Sequence, residues 1–117
     1  MDRDIKSLIN GYRNRVFQEN LPYVEASKIL VELSALLGNI NEEIRARHKE
    51  WIAHLSTTLM ANPRWGVERA KIIASGGGQW LALEEARAYK EVALEMLRAL
   101  KYYLRTGQEE YIAARNL

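Results

Sequence analysis

His48 and His54 are the residues best suited to hold a metal or move a proton. They stand six positions apart, about 120° around an α-helix. Two ligands on one helix need a spacing of about three, four or seven to share a face. Arg45 lies three before His48 and Trp51 three before His54, so the Glu-x-x-His pairing of helical di-iron proteins does not occur. Glu50, four before His54, can form a surface pair with it. Ser56, Thr57 and Thr58 follow His54, but adjacent helical residues point different ways, and a nucleophile must meet its base within hydrogen-bond reach. The chain has no cysteine, which excludes disulfides, thiolate zinc sites and cysteine nucleophiles. The expectation is no metal, no cofactor and no enzymatic activity.

The cations are better organised. Arg87, Lys90, Arg98, Lys101 and Arg105 form a row interrupted at Leu94, and from Met96 to Thr106 there are three cations and no acid. Such a row on a helix can follow a phosphate backbone, and Trp80, Tyr102 and Tyr103 lie near enough to stack on bases. Further cations sit at Arg3, Lys6 and Arg13, at Arg45, Arg47 and Lys49, and at Arg64, Arg69 and Lys71. The competing reading is a solvated, salt-bridged face. Glu84 and Glu91 have the spacing to pair with Arg87, and Glu95 with Arg98. Cations in a last turn also complement the helix dipole.

A second region of interest is "ANPRWG" and the triple glycine in "ASGGGQW". Gly76, Gly77 and Gly78 precede a helical pattern, as phosphate-binding glycines do. A P-loop, however, needs a strand before it and Gly-Lys-Ser/Thr after it, and here Gln79-Trp80 follows. An anion nest at the new helix start is one alternative. A mechanical turn is the preferred one, with Gly76 as a left-handed cap and Gly77-Gly78 reversing the chain. Arg64, Trp65 and the glycines then form a tip able to meet a protein partner. Trp51, Trp65 and Trp80 each read either as partner anchors or as caps on a core.

These residues must be positioned by helices. Of 117 residues, 48% are hydrophobic, and good helix formers dominate over two prolines and one phenylalanine. The spacing predicts one domain over 1–117, with helices over about 3–18, 22–61, 64–74 and 79–106. Asp2 or Asp4 opens the first, which presents Ile5, Leu8, Ile9, Tyr12 and Val16. Asn20 and Pro22 open the second. Its Leu30, Leu33, Leu37, Ile40 and Ile44 form a heptad seam that drifts into His48, Ile52, Leu55 and Leu59. Gly38-Asn39 is the place where it would kink, and Pro63 ends it. The last helix presents Ala82, Ala86, Tyr89, Ala93, Met96, Leu97, Leu100, Tyr103 and Leu104, and Gly107 stops it. The expected fold is all-α: an antiparallel, coiled-coil-like hairpin of two long helices, closed by the short N-terminal helix, with another short helix in the connector. Two helices bury little, so self-association along the remaining apolar surface is expected.

Lys and Arg exceed Asp and Glu by seventeen to fifteen, a net charge of +2. No apolar run reaches the roughly 18 residues of a membrane span. "MDRDIKSLIN" does not read as a secretory signal, and a cytoplasmic location is expected. The stretches "EASKILVELSALLGNINEEI" and "ARAYKEVALEMLRALKYYL" together resemble a loose group of small helical proteins of tailed bacteriophages, over roughly residues 25–60 and 80–105. That resemblance implies a bacterial host and a role near replication or recombination. It carries over no functional residue. The expected function is a non-enzymatic accessory protein that self-associates and contacts nucleic acid or a replication or recombination protein. The alternatives are an adaptor or inhibitor of a host factor acting through the tip, and a purely structural oligomer.

Overall fold

The computed structural model describes residues 3–116 as four helices: α1 (Arg3–Val16), α2 (Tyr23–Ala61), α3 (Val67–Ala74) and α4 (Gly78–Arg115). Asp2 and the Arg3 side chain lie outside the described residues, and Asp4 occupies the first turn of α1. No strand occurs among the described residues.

The long helices α2 and α4 pack antiparallel. Tyr23, at the start of α2, stacks on Tyr103 late in α4 with 4.9 Å between ring centroids. Trp51, far along α2, meets Trp80 at the start of α4, again at 4.9 Å. The result is a rod of 76 × 24 × 20 Å. Helix α1 lies along one side of the hairpin and touches both long helices. Its Ile5 and Ile9 are buried against Ala26, Ile29, Leu33, Leu36 and Ile40 of α2 and against Ala93, Met96, Leu97 and Leu100 of α4. At the other end Trp51, Ala74 and Leu83 form a smaller cluster, flanked by Leu55 and Trp80.

Helix α1 ties its side of the hairpin down with polar contacts as well. Tyr12 donates to Glu32 at 3.0 Å, Arg15 pairs with Glu25, and Lys6 pairs with Glu85. The hydrogen bond from Lys6 holds the Glu85 carboxyl below its ordinary range, and the same bond raises the Lys6 ammonium. Burial and the bond to Glu32 raise the Tyr12 phenol.

Several boundaries differ from expectation. Helix α1 ends at Val16, two residues early, because the chain turns through Asn20 in the left-handed region at φ 59°. Asn20 therefore does not cap α2. Pro22 stands at the cap in extended geometry, and the Ala26 amide donates to its carbonyl at 2.9 Å. Helix α2 runs unbroken through Gly38-Asn39. Asn62 closes α2, its side-chain amide donating back to the Thr58 carbonyl at 2.9 Å. Pro63 and Arg64 form a turn closed by the Trp65 amide donating to the Asn62 carbonyl at 2.9 Å, Gly66 is the extended N-cap, and α3 begins only at Val67.

The largest difference is at Gly107, where α4 continues to Arg115 instead of stopping. Glycine costs about 1 kcal/mol in a helix interior, but here it gives the Tyr23 ring room to lie against α4. A Cβ at 107 would come within 2.8 Å of the Tyr23 hydroxyl and closer still to the ring. Tyr23 is held there by its stack on Tyr103, whose own hydroxyl donates to the Leu21 carbonyl.

Candidate functional site

Helix α4 places all five cations of the expected row on one face. At about 100° per residue, Arg87, Lys90, Arg98, Lys101 and Arg105 fall within an arc of roughly 80°. Lys90 is half-buried, and the other four are exposed. The core of α4 is formed by Leu83, Ala86, Ala93, Met96, Leu97 and Leu100, so no member of the row belongs to it.

The salt-bridged alternative is realised in part. Arg87 donates to Glu84 at 2.9 Å, and its guanidinium lies 6.0 Å from the Trp80 ring centroid. Arg105 stands 4.0 Å from Glu109, with both side chains about two-thirds exposed or more. Neither Arg98 nor Lys101 has an ion pair among the described residues, and the expected Glu91–Arg87 and Glu95–Arg98 pairs do not form. Elsewhere the cations are mixed: Arg13, Lys28, Arg45, Lys49 and Arg64 likewise have no ion pair among the described residues, whereas others are engaged. Arg47 is bracketed by Glu43 at 3.0 Å and Glu50 at 2.7 Å, and Lys6 is taken by Glu85.

The three aromatics near the row divide clearly. Trp80 is half-buried against Trp51. Tyr103 is occupied by Tyr23 and Leu21. Tyr102 stands 64% exposed, with the Arg105 guanidinium 5.7 Å from its ring centroid.

At the tip, the candidate residues are dispersed in role. Arg64 is exposed, while Trp65 is half-buried with Arg69 over its ring at 4.8 Å. The glycines work differently from the expectation. No glycine has positive φ, and α3 ends at Ser75 in right-handed geometry, so Gly76 is not a left-handed cap. Gly77 is the extended N-cap of α4, and Gly78 is its first residue. The alternating right- and left-handed backbone of an anion nest is therefore absent here. Gly77 sits at a close approach: a Cβ there would lie 3.0 Å from Gln79 Oε1, 3.2 Å from the Ala74 carbonyl and 3.3 Å from His54 Nε2, so these neighbours would have to shift slightly.

Reading the sequence missed a feature of α3. Its alanines, Ala70 and Ala74, are buried, whereas Ile72 and Ile73 are 75% and 49% exposed. Met60, Val67 and Leu81 are exposed nearby in the chain, interspersed with Arg64, Arg69 and Lys71. The usable signal was that Ala70 and Ala74, four apart, define a face that excludes Ile72, with Ile73, three after Ala70, at its edge.

His54, Glu50, Thr57 and Gln79 line a shallow open surface. The Thr57 and Thr58 hydroxyls donate to the Ala53 and His54 carbonyls, each at 2.9 Å. Among the described residues no group of three His, Asp or Glu is placed to hold a metal ion, and no helix is long and apolar enough to cross a membrane. No protein-family model, curated protein or solved structure matches the chain.

Proposed function

We propose that this protein is a non-enzymatic accessory protein that contacts nucleic acid through the outward face of α4. One observation carries the reading: Arg98 and Lys101 are exposed without an ion pair among the described residues, in one arc with Arg87, Lys90 and Arg105. Cations so placed release counterions from a phosphate backbone, which gives affinity with a strong salt dependence. A role beside replication or recombination, as the phage resemblance implies, is compatible with this chemistry. Self-association belongs to the same proposal, because Val24 and Val31 stand one heptad apart on α2, 84% and 70% exposed. Light scattering over a range of protein concentrations tests that part.

The main test is fluorescence anisotropy with labelled oligonucleotides at two salt concentrations. With about five phosphate contacts, affinity should fall on the order of 100-fold between 50 and 200 mM salt. The Arg98→Ala/Lys101→Ala/Arg105→Ala variant should lose roughly 2 units of the log–log salt slope. Absence of binding at low salt, or binding unchanged in the triple variant, would refute the reading.

The inverted face of α3 favours a second reading, a protein partner docked on the tip. Exposed apolar patches ringed by polar residues mark such contacts. In that case Ile72→Ser/Ile73→Ser would abolish capture of a partner that the α4 triple variant still binds.

A further inference from the structure

The α4 reading leaves open which form of nucleic acid the row accepts, and the geometry around Tyr102 bears on it. We infer that the ligand is single-stranded nucleic acid, with Tyr102 as the stacking platform for a base and Arg98, Lys101 and Arg105 as the phosphate contacts around it. The inference rests on the proposed role of the α4 row.

Single-strand binding combines a cationic track with an aromatic face on which a base can lie. Of the aromatics along α4, Trp80 and Tyr103 are already stacked on Trp51 and Tyr23, Tyr89 packs against the core, and Tyr111, 68% exposed, lies beyond the row and about 100° or more around the helix from its nearer members Arg98 and Arg105. Tyr102 is 64% exposed and forms no hydrogen bond or ring stack among the described residues; its close ring neighbour is the Arg105 guanidinium at 5.7 Å. Arg98 precedes it by four positions and Arg105 follows it by three, the two spacings that bring helical side chains together. A base lying on Tyr102 would thus have guanidinium groups on both sides along the helix, with Lys101 beside it.

Duplex geometry fits this surface poorly. Reading a duplex would require α4 to enter a major groove about 12 Å wide. Over the row, helix α4 is packed through Ala93, Met96, Leu97 and Leu100 into a body 24 × 20 Å in cross-section, and only its stretch 108–115, beyond the row, is exposed at every residue. A duplex could touch the row only with one edge of its backbone, and its bases, already stacked and paired, would offer Tyr102 no face. A single strand has neither restriction. From Arg87 to Arg105 the row is about 27 Å long, the length of roughly eight nucleotides at helical spacing.

Stacking and phosphate contacts are shared by DNA and RNA, so the test uses oligothymidylate, oligouridylate and a mixed-sequence duplex, each about 15 nucleotides long. Anisotropy at low salt should show both single strands binding more tightly than the duplex. Tyr102→Ala should weaken single-strand binding by roughly tenfold without changing the salt slope, and Tyr102→Phe, which keeps the ring, should bind like the wild type. Because Tyr102 is exposed, the variants should melt like the wild type, and circular dichroism checks this. Duplex binding equal to or tighter than single-strand binding, or an unaltered affinity in Tyr102→Ala, would overturn the stacking inference while leaving the α4 charge reading in place. Failure of the wild type to bind any of the three would overturn both.

Discussion

At the α1 end of the hairpin three helices converge on Ile9, Leu33 and Met96, whereas at the tip α2, α3 and α4 meet around Trp51, Ala74 and Leu83. The first region buries branched and long side chains from every helix. The second buries alanines from α3 and leaves its isoleucines outside. The difference teaches how the surface is allotted. A thick core holds the middle of α4 in place as far as Leu104, so the outward face there can be given to unpaired charge. The thin core leaves the tip with apolar side chains that its own fold does not use.

The largest effects should come from the thick region. Met96→Ala, at a fully buried site, should cost about 2–5 kcal/mol in urea unfolding, within the range of large-to-small core substitutions. A cost under about 1 kcal/mol would mean that the α1 end is not the stabilising half.

The next effect compares the regions directly. Hydrogen exchange should show the amides of Val67–Ala74 opening locally and at least about tenfold less protected than those around Leu33. Equal protection would remove the distinction between a thick and a thin core.

A smaller effect concerns Gly107. With the wild-type Tyr23 in place, Gly107→Ala must push the ring off its seat and should lose the Tyr23–Tyr103 stack. In a Tyr23→Ala background the same change should stabilise by about 1 kcal/mol, the helix propensity gain of alanine over glycine. A double-mutant cycle with no coupling between the two sites would show that the close approach does not govern this position.

The smallest effect is the pH dependence of α1 docking. The Glu85 carboxyl is lowered by Lys6, so its contribution is present in and above the ordinary glutamate range and is lost as pH falls below that range. The Lys6 ammonium is raised by Glu85, so its contribution is present below the ordinary lysine range and is lost as pH rises beyond about 10.4. Both side chains are more than a third exposed, so salt screens the pair. Melting temperature should fall slightly more steeply in acid for the wild type than for Glu85→Gln. Identical acid profiles would show that the pair does not couple α1 to the hairpin.

These particulars also show what can be read from sequence. The 3.5-residue period revealed the hairpin and the face of the α4 row, because both depend on spacing alone. It did not reveal which flank of the α2 seam sinks deepest. Leu30 and Leu37 were expected in the seam, but Ile29 and Leu36 are the more buried. Both rows are apolar, and the arrival of α1 beside Leu36 decides between them. Likewise Trp51 is buried in place of Ile52 because Trp80 meets it from α4. Gly107 reads as a stop by propensity and continues the helix because of a residue more than eighty positions away. The unpaired state of Arg98 is similar: spacing permits a bridge to Glu95, and only the side-chain arrangement shows that none forms.

One titration distinguishes the two surfaces most directly. Amide shifts of the isotope-labelled protein, followed by NMR while oligothymidylate is added at low salt, report on α4 and α3 in the same spectra. The account predicts shifts concentrated between Arg87 and Arg105, strongest around Tyr102, with Ile72 and Ile73 unmoved. Shifts confined to Val67–Ala74, or no shift at all, would contradict it.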